Sequence, residues 1–158
     1  MKCKLRVVLV ALATSLALSA GAAHAQTRIA PGAVASVSRP IIVTCQGSER
    51  SPFGNALVCN GFAEITLRSD GPGAMIGLQL IAPTTHCSDI QYYVQRVSNE
   101  SGEMSERLSP GQGTLLPIAN DLPRGSHRYR IWGWGHIGGC MVDQFHSFGV
   151  IADQVIIP

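Results

Sequence analysis

Phe62-Ala63-Glu64-Ile65-Thr66-Leu67-Arg68 decides how the chain folds. Ala63, Ile65 and Leu67 alternate with Glu64, Thr66 and Arg68, so apolar side chains fall on one side of an extended segment and polar ones on the other. Side chains of a strand alternate between two faces, and this period of two marks a strand with one buried face. The same period recurs outward along the chain. Ile76, Leu78 and Leu80 alternate with Gly77 and Gln79, and Ile90, Tyr92 and Val94 alternate with Gln91, Tyr93 and Gln95. No run of helical period exceeds three turns.

The breaks between these runs agree with them. Asp70-Gly71-Pro72-Gly73, Asn99-Glu100-Ser101-Gly102, Ser109-Pro110-Gly111 and Asn120-Asp121 all separate apolar runs, where turns are expected. Many short strands at this spacing predict an antiparallel sandwich or barrel, not a parallel sheet with crossover helices. Gln154-Val155-Ile156-Ile157-Pro158 reads as the last strand, paired and half buried. Left as a free edge it would invite strand addition.

Residues 1–25 carry a different pattern. Lys2, Lys4 and Arg6 precede an apolar run from Val7 to Ala23, and Ala23-His24-Ala25 places small residues before a cut at Gln26. This is the arrangement of a cleaved secretory signal peptide. It predicts a bacterial protein bound for the periplasm or beyond, with no membrane attachment after cleavage. Removing 25 of the 158 residues leaves 133, enough for one domain. Residues 26–40 read as a flexible leader and 41–158 as a single domain. Nine Arg then stand against ten Asp and Glu, a formal charge of −1. That balance lacks the basic field a phosphate backbone requires, so nucleic acid is not an expected partner.

Cleavage also removes Cys3 and leaves Cys45, Cys59, Cys87 and Cys140. An even cysteine count in a small exported domain predicts disulfides. Cys45 and Cys59 flank Ser51-Pro52-Phe53-Gly54-Asn55, which reads as a hairpin loop. Their side chains are expected to face each other across that hairpin. Cys87–Cys140 is then the second bridge.

Leu122-Pro123-Arg124-Gly125-Ser126-His127-Arg128-Tyr129-Arg130-Ile131 resembles the lead-in to a late central strand of immunoglobulin-like sandwiches. There an apolar residue and a glycine turn precede an aromatic residue that locks the corner. The resemblance covers these ten residues. It implies an all-β, antiparallel immunoglobulin-like β-sandwich, stapled here by two disulfides.

The same strand supplies the candidate site. Alternation puts Tyr129, Ile131 and Gly133 on one face and Arg128, Arg130, Trp132 and Trp134 on the other. With Tyr129 and Ile131 inward, two tryptophans and two arginines line the outer surface. Such a stripe suits stacking on sugar rings or an anionic polymer, and Trp and Arg are favoured anchors at protein interfaces. Two alternatives stand beside this: both tryptophans pack inside against a disulfide, or a bulge at Gly133 shifts the register.

Other groupings carry less. His136, Cys140, Met141 and His146 are soft ligand types at a spacing that matches no zinc signature. No Gly-x-Ser-x-Gly nucleophile setting occurs. Glu100, Glu103 and Glu106 read as a solvated loop or short helical turn. His86 and Asp89 flank Cys87 and are placed to bond each other. No nucleophile, base and orienter come together, so the expectation is a non-enzymatic module without cofactor or metal, contacting a glycan or a protein. The alternative is a periplasmic accessory factor for assembly or secretion of a surface structure, or an inhibitor of an exported enzyme.

Overall fold

A computed structural model describes residues 39–52, 54–73 and 75–157. The signal peptide expected over 1–25 and most of the leader expected over 26–40 lie outside the described residues.

Alternation and turn residues produce nine strands among the described residues, and no helix. They are β1 (Ile41–Thr44), β2 (Ser48–Arg50), β3 (Ala56–Ser69), β4 (Met75–Ile81), β5 (Ile90–Arg96), β6 (Gly102–Met104), β7 (Gly113–Ala119), β8 (Gly125–His136) and β9 (Ser147–Ile157). All pairings are antiparallel. One sheet runs β1-β9-β4-β7 and the other β2-β3-β8-β5-β6. All four sequence turns fall between strands as expected. The segment around Glu103, read as a loop, forms the short edge strand β6.

Apolar faces meet between the sheets. Ala63, Leu67, Tyr92, Val94 and Ile131 of the five-stranded sheet bury against Leu78, Leu80, Phe148 and Val150 of the other. Tyr92 joins the layers directly. Its hydroxyl donates to the Gly149 carbonyl at 2.7 Å, and burial pushes its pKa up. At the margin, the Gln154 amide replaces a missing strand for Arg68, donating to its carbonyl at 2.6 Å and accepting from its N–H at 2.8 Å. The final strand begins at Ser147, where it pairs with β1, earlier than its C-terminal apolar run suggests.

Each early strand takes a late partner: β1 pairs with β9, β3 with β8, β4 with β7 and β5 with β6. This nesting results when one long hairpin folds over on itself and deals successive pairs to two sheets. It is the strand arrangement of a jelly roll, with β2 added at one edge. The immunoglobulin-like order expected from residues 122–131 is not reproduced. Tyr129, the aromatic residue of that segment, is buried, but its hydroxyl has no hydrogen-bond partner and locks no corner.

Both expected disulfides are present, Cys45–Cys59 and Cys87–Cys140. The first differs in its placement. Ser48, not Cys45, faces Cys59 across the β2–β3 hairpin. Cys45 instead follows β1, and its N–H bonds the His146 carbonyl ahead of β9. The bridge thus ties the end of a strand in one sheet to β3 in the other. Cys87–Cys140 joins the β4–β5 and β8–β9 connections. Two such bridges fit an oxidising compartment.

Candidate binding face

Along β8 the inward positions are Tyr129, Ile131, Gly133 and Gly135, all buried, while Arg128, Arg130, Trp132 and Trp134 point outward. The alternation read from the sequence therefore holds, without a bulge at Gly133. The irregularity lies in β3, where Val58 faces Trp134 and Phe62 faces Trp132. Two extra residues are accommodated there. An even insertion leaves side chains on their original faces, because the period is two. Neither tryptophan is in the core; each is half-buried on the outer surface.

Neighbouring strands complete the surface. Trp132 stands between Phe62 of β3 and Tyr93 of β5, and Tyr93 in turn faces Met104 of β6. The Phe62 and Trp132 rings lie 4.9 Å apart. A row of three aromatic rings and a thioether thus crosses four adjacent strands, about 14 Å at ordinary strand spacing. Gly102 makes room for it. A Cβ there would sit 2.6 Å from the Tyr93 ring.

Polar groups border the row. Trp134 is flanked by Gln91, and Arg130 by Glu64 and Gln95. Arg130 lies over the Phe62 ring, 4.5 Å from its centroid. Glu64 approaches both guanidinium groups, at 3.3 Å from Arg128 and 3.9 Å from Arg130. These contacts are exposed and weak, and the one carboxylate offsets part of the local positive charge. Beyond Trp134, the His136 ring donates its Nε2–H to the Gln91 side-chain carbonyl at 2.7 Å. Burial, with Arg107 nearby, holds the His136 pKa below its usual value.

Sequence reasoning named Arg128, Arg130, Trp132 and Trp134 and missed Phe62, Tyr93 and Met104. The alternation at Phe62 and Tyr93 was visible, but cross-strand register was not, and register is what joins them to Trp132.

The other candidates separate. His86 accepts from the Gly149 N–H at 2.9 Å, while Asp89 accepts from Arg107 at 2.7 Å and Ser109 at 2.8 Å. His86 and Asp89 do not bond each other as expected; both line a cavity of about 230 Å³ beside the Cys87–Cys140 bridge. Among the soft ligand types, Cys140 is held in that bridge and His136 by Gln91.

The chain matches no family model, no curated protein and no solved structure.

Proposed function

We propose that the outer face of the five-stranded sheet binds a carbohydrate chain, as the working surface of an exported, non-enzymatic binding domain. The carrying observation is the row Phe62–Trp132–Tyr93–Met104 across four strands. Sugar rings offer flat C–H faces that stack on aromatic rings, and their hydroxyls need amides and carboxylates at the margin. Gln91, Gln95 and Glu64 stand there. Glu64 offsets one of the two charges of Arg128 and Arg130, so the face suits a neutral or weakly acidic glycan better than a densely charged polymer. Jelly rolls include lectin domains, which supports the reading by analogy of fold alone. The signal-peptide pattern of residues 1–25 and the two disulfides fit a periplasmic or secreted location.

A second reading is a protein partner, as for an assembly factor or an enzyme inhibitor. It is favoured by the opposite sheet, whose outer surface exposes Ile42, Met75 and Leu115.

A glycan array probed with the purified protein, followed by titration of the best ligand, tests the first reading. Trp132→Ala and Tyr93→Ala are expected to weaken binding about tenfold or more, the loss of an aromatic anchor, with an unchanged melting temperature. If no glycan is retained, and a photo-crosslinker at position 93 captures a protein, the carbohydrate reading fails.

A further inference from the structure

We infer that a second, internal site, between β5, β6, β7 and β8, holds a small oxyanion: a carboxylate, sulfate or phosphate group. Arg96 and Tyr129 are cross-strand partners, and the inward position of Tyr129 makes Arg96 an inward-facing arginine at the end of the sandwich. Both line a cavity of about 80 Å³, together with Ser101, Glu103 and the apolar Val94 and Ile118.

Two donors in this space are unmet. Tyr129 is only 2% exposed, and neither its hydroxyl nor Arg96 Nε has a hydrogen-bond partner. Buried polar groups are normally bonded, so two unmet donors in one cavity call for an explanation. Arg96 Nη2 is 3.3 Å from His127 Nδ1. His127 Nε2 lies 2.8 Å from the Pro123 carbonyl. That carbonyl can only accept, so the ring proton is on Nε2 and Nδ1 accepts from Arg96. An accepting ring nitrogen brings no countercharge to the guanidinium, and Glu103, at the exposed rim, makes no ion pair with it. Among the described residues the ion pairs engage Arg107, Arg128 and Arg130, not Arg96.

The volume would admit about two or three waters. Water could meet the donors, but only an anion would also neutralise Arg96. Donors to an oxyanion form the stronger class of hydrogen bond. Glu103 at the rim opposes an anion and sets its affinity. The site is separate from the Trp132 row, because Tyr129 faces inward and Trp132 outward, so either can fail without the other.

The Arg96 Nε–H resonance, followed by NMR in the purified protein, tests this. Sodium phosphate and sodium acetate are titrated against sodium chloride at fixed pH and ionic strength. A saturable shift with either oxyanion and none with chloride is expected. Tyr129→Phe should raise the dissociation constant about tenfold, the loss of one buried charge-assisted hydrogen bond. Glu103→Gln, at an exposed position, should lower it. An ordered-water cross-peak with no saturable shift in the wild type overturns the proposal. So does an affinity indifferent to both substitutions, which would place the anion elsewhere.

Discussion

Gly133 and Gly135 hold the inner positions of the strand whose outer positions carry the two tryptophans. At each of these inner positions no side chain is present, and the neighbouring core fills the space. A Cβ on Gly133 would lie 2.6 Å from the Phe148 ring, and one on Gly135 2.6 Å from the Met141 sulfur. Gly133→Ala is therefore expected to destabilise the fold by about 1–3 kcal/mol, the usual cost of overpacking. Urea unfolding checks this, and a cost near zero would mean that Phe148 yields freely. At this scale the sequence was most informative. Alternation alone placed Arg128, Arg130, Trp132 and Trp134 on one surface. It could not show that Tyr129 would keep an unbonded hydroxyl, since that depends on Arg96 and on the far sheet.

At the scale of elements, the two disulfides do different work. Cys45–Cys59 closes a separation of 14 residues and Cys87–Cys140 one of 53. In the chain-entropy account the longer closure removes more disorder from the unfolded state, about 4 kcal/mol against about 3. Paired Cys→Ala replacements should rank in that order by chemical denaturation. The opposite order would show that the bond between sheets matters beyond closure. That bond sits beside the β3 irregularity, and Gly61 is part of the reason it fits: a Cβ there would lie 2.8 Å from the Thr44 carbonyl. The strands and turns were legible because each is a local pattern of side chains. The pairing of the cysteines was legible too, from their position about a hairpin loop. The placement of Cys45 outside β2 was not, because nothing local distinguishes a strand end from the connection that follows it.

At the scale of the molecule, burial sets a pH dependence. It lowers the His86 pKa below the ordinary 6.5, and it does the same for His136, with Arg107 adding to the effect. Each ring takes up a proton more readily in the unfolded chain than in the folded one. Their contribution is thus complete above about pH 6.5 and is lost as pH falls from there toward the folded values. The melting temperature should decline over that interval. His86→Gln, which keeps an acceptor for the Gly149 N–H, should flatten the decline, and an unchanged slope would remove His86 from the account. Strand order was the least legible property of all. Periodicity says that a segment is a strand, but not which of the other described strands lies beside it, and a ten-residue likeness reached the fold class without the strand order. The nested order has a consequence in time. Because β1 pairs only with β9, the first of the described strands to leave the ribosome must wait for the last. That pairing cannot form until the chain is released as far as Val150, so β1 spends most of synthesis as an open strand edge, available to another copy of the chain, while β3–β8 and β5–β6 can already close.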